Sequence, residues 1–324
     1  MAHGLDQIKG PIARELDIFE KRFRDTLRSP VPLMDRITYY IVRRKGKQMR
    51  PMFTFFSAEA CGGINDATYT AASLIELVHT ASLVHDDVVD ESYERRGFFS
   101  INALWKNKIA VLVGDYFLAR GLSIALETKQ YRTLEISSNA VQALAEGELL
   151  QIEKARRLDI DEQIYFEVIR QKTASLIAAS CAAGAASATT EDDIVQLMHS
   201  FGEKIGIAFQ IRDDLFDFGF DKVGKPLGID IKEKKMTLPL IHALNQADGR
   251  ERRRMIRNIK KYSDDPGRVE QVLQFVRESE GIAYAEAAMY RYRDEAFSLL
   301  HRLPPSAARD GLEQLVNFVV DRTH

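Results

Sequence analysis

The chain has 324 residues, a hydrophobic fraction of 45% and a formal net charge of −2 at pH 7. Its 45 Lys and Arg residues nearly balance its 47 Asp and Glu residues, so no global charge favours nucleic acid or an anionic membrane as a partner. Cys61 and Cys181 fit neither a disulfide framework nor a CxxC metal site, which indicates a reducing compartment.

Two kinds of apolar segment are missing from the sequence. The N-terminal stretch MAHGLDQIKGPIAREL has no apolar signal core, and no run reaches the roughly 18 apolar residues that a membrane span requires. We therefore expect no integral membrane segment, no nucleic-acid partner and a cytoplasmic location.

Apolar residues recur at spacings of three and four along almost the whole chain, and no period-two strand is flanked by hairpin turns. This pattern predicts an all-α protein. The joints between helices are short, so we predict a single large helical bundle domain over residues 1–324. The predicted helices lie at 5–28, 31–45, 51–61, 66–91, 100–126, 131–154, 160–187, 191–218, 234–246, 250–261, 266–279, 281–301 and 306–320.

The fourth predicted helix ends in the stretch LVHDDVVDESYERRG at 83–97. Asp86 and Asp90 are four residues apart, so their carboxylates share one helical face, with Asp87 beside them. Charges this close repel one another, and the cluster suits either an exposed helix end or a multivalent cation with oxygen ligands. A single DDxxD leaves both interpretations open.

A second DDxxD lies in GIAFQIRDDLFD at 206–217 and comprises Asp213, Asp214 and Asp217, with Gln210 one helical turn before it. Recurrence of the pattern inside another apolar helix is much rarer by chance than one acidic helix end. Two such helices facing each other would line a cavity with carboxylates. Mg²⁺ binds a few protein carboxylates and leaves its other positions to water and substrate phosphates, so the pair predicts a site for several Mg²⁺ ions.

A phosphate site also requires cations. Basic residues occur in local groups near both motifs: Lys47 and Arg50 in GKQMRP, Arg95 and Arg96 after the first motif, Lys172 beside Thr173, and Lys225 and Lys235 after the second motif. Any one of them alone is more often a surface charge. With two acidic motifs they predict two anion pockets, one bridged by metal and one bound directly by Arg and Lys.

In this order, the motifs resemble those of the trans-isoprenyl diphosphate synthases, also called polyprenyl synthetases. The resemblance runs from about residue 40 to 240 and includes EL-H at 76–79, GD at 114–115, GE at 147–148, KT at 172–173 and GKPLGIDIKEKKMTLP. It implies an all-α fold of the isoprenoid synthase type around a central active-site cavity, and a homodimer.

The resemblance also implies a role for each matched residue. Three Mg²⁺ ions would bind the carboxylates of Asp86, Asp90 and Asp213, and these ions would bridge the diphosphate of an allylic substrate. The remaining acids of the two motifs, Asp87, Asp214 and Asp217, would complete the acidic shells.

The same resemblance assigns the two substrates. Donors to the allylic diphosphate would be Arg95, Lys172, Gln210, Lys225 and Lys235. The diphosphate of isopentenyl diphosphate would bind in the metal-free pocket to Lys47, Arg50, His79 and Arg96. Oxygens of Thr173 and Gln210 would lie near the developing carbocation.

The implied reaction is head-to-tail condensation of isopentenyl diphosphate with an allylic diphosphate, which gives an all-trans polyprenyl diphosphate. The departing diphosphate can take the proton, so no dedicated protein base is required. In the family that the chain resembles, a bulky residue four or five positions before the first acid blocks the tunnel that holds the growing tail. The small residues Ser82 and Ala81 occupy these positions here, which implies a product longer than C20. Candidates for the floor of the tunnel are Phe117, Leu118 and Leu122.

Alternatives remain open. The product could be shorter, as for a geranylgeranyl or farnesyl diphosphate synthase. A class I terpene cyclase shares the first acidic motif, but it needs no second diphosphate pocket. A non-catalytic partner subunit of a heteromeric synthase would act by interaction alone, although such subunits tend to lose acidic motifs that are intact here.

Overall fold

The computed structural model describes residues 2–43, 46–95, 97–157, 161–219 and 227–321. Helices dominate these ranges, and the predicted all-α class is confirmed. The helices are α1 (Ala2–Lys9), α2 (Ala13–Thr26), α3 (Pro32–Val42), α4 (Met49–Ala60), α5 (Asp66–Val89), α6 (Ile101–Glu127), α7 (Tyr131–Arg157), α8 (Glu162–Ile169), α9 (Ser175–Ala188), α10 (Asp192–Phe216), α11 (Ile229–Lys232), α12 (Leu238–Gln246), α13 (Gly249–Lys261), α14 (Pro266–Glu278), α15 (Gly281–Leu300) and α16 (Ala307–Asp321).

The predicted helix boundaries agree closely with these, and the differences have local causes. The first predicted helix is interrupted by a 3₁₀ turn at Gly10–Ile12, because Pro11 has no backbone N–H to continue an α-helix. A π-helical turn, Arg170–Ala174, divides α8 from α9. Two strands of two residues each, β1 (Glu94–Arg95) and β2 (Phe98–Phe99), form an antiparallel hairpin that the sequence pattern did not predict.

The chain divides into two compact units. Unit 1 comprises Met1–Val141, Ala179–His199 and Leu303–Leu312, and unit 2 comprises Gln142–Ala178, Ser200–Arg302 and Glu313–His324. The predicted organisation as one domain over residues 1–324 stays a prediction.

Unit 1 is built around α5, which packs along α6 and also contacts α4 and α2. Asn65 starts α5 with a capping box, in which its side chain accepts from the backbone of Thr68 and the Thr68 hydroxyl accepts from Asn65 N–H. Ala81 and Phe117 are fully buried in the cluster that joins α5 and α6. This packing fixes the direction in which α5 carries the first acidic motif.

Helix α6 is, among the described residues, the one helix long and apolar enough to cross a membrane by length and composition. Core helices of soluble proteins pass the same test. In this structure Val113 and Phe117 of α6 are buried in the cluster with α5, whereas Leu112 and Leu126 are more than half exposed. One face of α6 therefore belongs to the core of unit 1 and another is apolar surface.

Unit 2 centres on α12, which contacts α8, α14 and α15. Gly281 lets the start of α15 lie close to α12, because a Cβ atom there would lie 2.3 Å from the carbonyl oxygen of Pro239. On its other sides, α14 packs against α11 and α13. Val269 and Leu273 of α14 lie against Gly228, whose φ of 78° is left-handed and suits glycine.

Candidate active site

The first acidic motif lies at the C-terminal end of α5. Asp87 is buried, Asp86 is half-buried and Asp90 is exposed. A helix C-terminus carries partial negative charge, so carboxylates there are less stable than at an N-terminus. A bound cation would relieve this repulsion.

Backbone hydrogen bonds hold this end of α5 in place. The carbonyl oxygen of Asp87 accepts from the N–H of Ser92 at 2.9 Å and from Nδ2 of Asn102 at 3.0 Å. Asn102 is buried, and no donor within the described part of the chain reaches its Oδ1. A buried acceptor of this kind beside the motif suits a bound water or a hydrated cation.

A close helix contact positions His85, which directly precedes the motif. The Nε2 atom of His85 lies 3.2 Å from the carbonyl oxygen of Val111 and 3.6 Å from Oδ1 of Asp115 on α6. A Cβ atom on Gly114 would lie 2.1 Å from Nε2 of His85. The GD pair at 114–115 therefore provides the space and the carboxylate for the histidine ring.

The residues present fit Mg²⁺. Within the described residues, no group of three or more His, Cys, Asp or Glu side chains is arranged to hold a metal by itself. Mg²⁺ commonly uses one or two carboxylates and completes its shell with water and substrate phosphates. Asp86 and Asp90, one turn apart and both accessible, match that use.

The basic residues predicted to bind the second diphosphate also lie in unit 1. Arg50 is in the first turn of α4 and is half-buried, and Lys47 is exposed just before that turn. A helix N-terminus carries partial positive charge, which adds to these two cations at the same end. His79 is half-buried on α5. The side chain of Arg95 and the whole of Arg96 lie outside the described residues.

In unit 2, Lys172 and Thr173 lie in the π-helical turn Arg170–Ala174. Glycines on two other helices allow close approach to this turn. A Cβ atom on Gly147 of α7 would lie 2.8 Å from the backbone nitrogen of Lys172, and one on Gly206 of α10 would lie 2.4 Å from Cα of Ala174. Isolated π turns inside helical segments often occur at functional sites.

Lys172 is already paired with acceptors. Its Nζ lies 2.5 Å from Oε2 of Glu148 and 3.3 Å from Oε1 of Gln151. Both acceptors lie on α7, next to Gly147. The ammonium group is thus held partly buried in a polar setting, from which it could donate to a phosphate oxygen.

A chain of hydrogen bonds links four side chains beside the second acidic motif. The Thr173 hydroxyl donates to Oε1 of Gln210 at 2.7 Å, and Nε2 of Gln210 donates to Oδ1 of Asp214 at 2.9 Å. The Tyr165 hydroxyl donates to Oδ2 of Asp214 at 2.6 Å. Because Oδ1 of Asp214 accepts from the amide N–H of Gln210, the amide oxygen of Gln210 points towards Thr173.

The carboxyl group of Asp214 is inside the protein. Burial, followed by the charge of Asp230, raises the pKa of Asp214 to about 8, although the hydrogen bonds from Tyr165 and Gln210 oppose this rise. Asp213, its neighbour in sequence, is half-buried. Of these two acids, Asp213 is therefore the one whose side chain is accessible to a ligand.

Asp217 has its oxygens engaged at the end of α10. They accept from the N–H groups of Ile229 at 2.8 Å and Asp230 at 3.2 Å, which fixes the start of α11. Burial raises the pKa of Asp217, and these backbone hydrogen bonds partly offset the rise. Asp217 thus stabilises the first residues of α11.

Lys235 lies 3.7 Å from Asp230 and 2.5 Å from Glu233. Burial lowers the pKa of Lys235, but the carboxylates of Asp230 and Glu233 raise it more, so it stays above its ordinary value. Lys235 is charged at neutral pH and belongs to an ion cluster. Lys225, also predicted to bind diphosphate, lies outside the described residues.

Three residues that contribute to these arrangements were not predicted from the sequence. Tyr165 reads as a core aromatic of a helix, Asn102 as a helix-surface polar residue and Asp230 as one charge among several. The regular spacing that identifies an acidic motif does not extend to partners on other helices. A search for polar residues two turns before KT, or five residues after RRG, could have selected Tyr165 and Asn102 as candidates.

A helical chain that carries two DDxxD motifs, with lysine, threonine and glutamine beside the second, has the features of a metal-dependent enzyme acting on diphosphate esters. A family model for polyprenyl synthetases matches residues 31–276. The chain therefore belongs to the polyprenyl synthetase family, and it is a prenyltransferase of that family, as the sequence predicted.

Similar proteins cover nearly the whole chain. The octaprenyl diphosphate synthase of Escherichia coli K12 is 36% identical over 322 residues, which are 98% of this chain and 99% of that protein. The decaprenyl diphosphate synthase structure from Rhodobacter capsulatus has a TM-score of 0.94, 36% identity and 99% coverage of both chains. A polyprenyl synthase structure from Caulobacter crescentus CB15, complexed with calcium and isoprenyl diphosphate, has a TM-score of 0.90, 31% identity and covers 99% of this chain and 98% of that one.

Proposed function

We propose that this protein condenses isopentenyl diphosphate head-to-tail with an allylic diphosphate and elongates the product beyond C20. The observation that carries the proposal is the position of Asp86 and Asp90, one turn apart at the negative end of α5. The similarity to synthases of octaprenyl and decaprenyl diphosphate supports the long product.

Three Mg²⁺ ions are expected, held by Asp86, Asp90 and Asp213. When bound, they would neutralise the charge of the allylic diphosphate and so favour its departure. The calcium and isoprenyl diphosphate in the Caulobacter crescentus structure support a divalent cation in this family. Asp87 and Asp214 are buried in this chain, so we assign them to positioning within their motifs.

The charged side chains of the chain would bind the two substrates. Lys172 and Lys235, with Arg95 and Lys225, would donate to the allylic diphosphate, and Lys47 and Arg50, with His79 and Arg96, would bind isopentenyl diphosphate. Fixing both substrates removes much of the entropic cost of a bimolecular reaction, up to about 7–11 kcal/mol in favourable cases. The departing diphosphate would accept the proton.

The oxygens of Thr173 and Gln210 are proposed to stabilise the allylic cation. Their orientation supports this role, because the Thr173 proton is used in its bond to Gln210 and the amide N–H of Gln210 is used in its bond to Asp214. Lone pairs on both oxygens therefore remain available. Such fixed dipoles stabilise developing charge without reorganising during the reaction.

We further propose a homodimer that works in the cytoplasm. The exposed apolar face of α6 supports the dimer, because its leucine and valine residues would be covered by a second copy. These residues are Leu104, Val111, Leu112, Leu122 and Leu126, each at least 41% exposed. The exposure of Leu122 also argues against its proposed place in a tunnel floor, whereas Phe117 is buried in the cluster with Ala81.

The dimer is tested by multi-angle light scattering of the wild type and of the double variant Leu112→Glu/Leu126→Glu. We expect a dimer for the wild type and a monomer for this variant. Val31→Glu/Leu33→Glu, which places the same charges on exposed apolar residues at the start of α3, is the control and should remain dimeric. A monomeric wild type would contradict the dimer.

The activity is tested by incubating the pure protein with labelled isopentenyl diphosphate, farnesyl diphosphate and Mg²⁺, followed by chromatography of the dephosphorylated products. Products longer than C20 that disappear with EDTA are expected. A single C20 product would support the proposed condensation and contradict the proposed product length. A single cyclic hydrocarbon would identify a terpene cyclase, and no product with any allylic primer would identify a non-catalytic subunit.

A further inference from the structure

Helix α13 carries a concentration of positive charge that the proposed reaction does not use. Its 13 residues, GRERRRMIRNIKK, include seven basic residues and one acid, a formal charge of +6 in a chain whose net charge is −2. The acid, Glu251, is paired with Arg254 at 3.0 Å. Most of the charge of α13 therefore has no acidic counterpart on its own helix.

Six of the seven basic residues of α13 lie on one side of the helix, and the seventh, Arg252, is exposed on another side. Met255 and Ile259 are buried and attach α13 to unit 2, where Asn258 donates to Gln271 of α14 at 3.1 Å. The basic residues that recur at spacings of three and four, and thus share the opposite face, are Arg250, Arg253, Arg254, Arg257, Lys260 and Lys261, and all are exposed. We call these six residues the basic face. It spans about 20 Å of helix.

We propose that the basic face docks on an anionic lipid bilayer. The inference rests on the proposed function in one respect: a polyprenyl diphosphate longer than C20 is an amphiphile whose tail is poorly soluble in water, so its release is favoured beside a membrane. Clusters of four to eight Lys and Arg on a helix are typical of binding to anionic headgroups.

The packing of α13 defines the kind of docking. Its apolar side is already buried against unit 2, so the helix cannot insert an apolar face into the acyl region as free amphipathic helices do. Contact is therefore electrostatic, reversible and sensitive to salt. Such a contact can form and break while the protein releases its product.

The surface around α13 is a poor fit for single-stranded nucleic acid. Sites for such strands combine basic grooves with exposed aromatic rings that stack on bases. The aromatic residue next to the basic face is Tyr262, and its ring lies beneath the guanidinium groups of Arg257 and Arg268, at 5.8 and 5.7 Å. The ring is thus occupied by the protein's own cations.

The basic face is separate from the residues assigned to catalysis in unit 2. Helix α14 lies between α13 and the segment that begins α11, since Asn258 of α13 bonds one side of α14 and Gly228 packs on Val269 and Leu273 of α14. Charge substitutions on the exposed side of α13 should therefore leave the reaction in solution unchanged.

The test is flotation of the full chain with vesicles of phosphatidylcholine, with or without about 30% phosphatidylglycerol, at about 0.1 and 0.5 M salt. The wild type should bind the anionic vesicles at low salt and lose at least about tenfold in affinity at high salt or without phosphatidylglycerol. The quadruple variant Arg250→Gln/Arg254→Gln/Arg257→Gln/Lys261→Gln should lose at least about tenfold as well.

The control variant Lys21→Gln/Arg36→Gln/Lys129→Gln/Arg302→Gln removes the same number of exposed cations elsewhere. It should bind anionic vesicles within about twofold of the wild type, since only charges at the bilayer surface contribute. An equal loss of vesicle affinity in both variants would show that binding depends only on net charge, and would overturn the proposal. The proposal would also be overturned if the wild type did not bind the vesicles, or if it bound a short single-stranded RNA more tightly than vesicles of equal total charge.

Activity distinguishes this proposal from the proposed function. With farnesyl diphosphate, detergent and no vesicles, the quadruple variant should elongate at the wild-type rate. If the protein is active but does not bind anionic vesicles, the docking proposal is overturned and the proposed reaction is supported. Vesicle binding through the basic face without any elongation would support docking as a surface property and overturn the proposed reaction.

Discussion

Tyr165 donates a hydrogen bond of 2.6 Å to Oδ2 of Asp214, and both side chains are buried in unit 2. Through Asp214 this bond fixes the amide of Gln210, and through Gln210 it fixes the Thr173 hydroxyl. A tyrosine remote in sequence from both DDxxD motifs thus sets the orientation of two oxygens proposed to face the allylic cation.

Replacing Tyr165 with Phe removes the hydroxyl and keeps the ring. The change leaves a buried carboxyl oxygen of Asp214 without its donor, which costs about 1–3 kcal/mol, so kcat should fall about fivefold or more, with a smaller change in KM. Steady-state kinetics with both substrates measure this split. Tyr284→Phe is the control, because Tyr284 donates a similar bond of 2.6 Å to Glu162, outside the chain of four residues. Equal effects from both variants would contradict the positioning role.

The stability of the protein should depend on the ionisation of Asp214. Burial raises its folded-state pKa to about 8, whereas an unfolded Asp has an ordinary value near 3.8. Between these values the folded protein binds a proton that the unfolded chain does not, so this contribution to the free energy of unfolding is complete below about pH 4 and is lost as the pH rises through about 8. Burial also raises the pKa of Asp230 to about 6, which adds a loss of the same sign at lower pH.

Thermal unfolding in EDTA between pH 4.5 and 8.5, a window of about four pH units, measures this dependence. The melting temperature of wild type should fall more over the window than that of Asp214→Asn, which has no proton to lose. Asp193→Asn, an exposed acid in the first turn of α10, should follow the wild type. Parallel curves for wild type and Asp214→Asn would show that Asp214 is ionised throughout.

Gly114→Ala should displace His85. The added Cβ would lie 2.1 Å from Nε2, so the ring must move away from the carbonyl oxygen of Val111. Overpacking of this kind costs about 1–3 kcal/mol, and we expect a lower melting temperature together with a raised Mg²⁺ requirement. Gly10→Ala, with no atom within 4 Å of the new Cβ, is the control. A stable variant with an unchanged Mg²⁺ requirement would show that the histidine does not position the motif.

The helices and both acidic motifs follow from the sequence, because spacing along a helix determines which side chains share a face. The contacts between helices do not follow from it. The π turn at Lys172 depends on Gly147 and Gly206 lying against it, and neither glycine is near the turn in sequence. Likewise, the spacing treats Asp213 and Asp214 alike, whereas packing around Tyr165 buries one and leaves the other accessible.

Asp86→Ala should lower turnover by about 10³-fold, since a metal ligand contributes several kcal/mol of charge stabilisation in the transition state. The fold should be intact, because Asp86 is only half-buried and its removal relieves repulsion at the end of α5. Turnover of labelled isopentenyl diphosphate and circular dichroism check the two expectations. Asp66→Ala, at the opposite end of the same helix, should be near normal. Near-normal turnover in Asp86→Ala would remove Asp86 from the metal site.

The length of the product should respond to position 82. Ser82 lies one turn, about 5–6 Å, before Asp86, is half-buried, and its hydroxyl bonds the carbonyl oxygen of Val78 in its own helix at 2.8 Å. A bulky ring there would obstruct a tail growing along α5 without breaking a contact to another helix. Ser82→Phe should therefore give shorter products at a similar rate of first condensation.

Ala81 offers a less selective test of the same tunnel. It is fully buried in the cluster with Phe117, so Ala81→Phe would also overpack the core at a cost of about 1–3 kcal/mol. Ser82→Ala removes the hydroxyl without adding bulk and should retain the wild-type product. Chromatography of the dephosphorylated products separates these cases. An unchanged distribution of product lengths from Ser82→Phe would mean that the tail does not pass this face of α5 and that other helices limit its length.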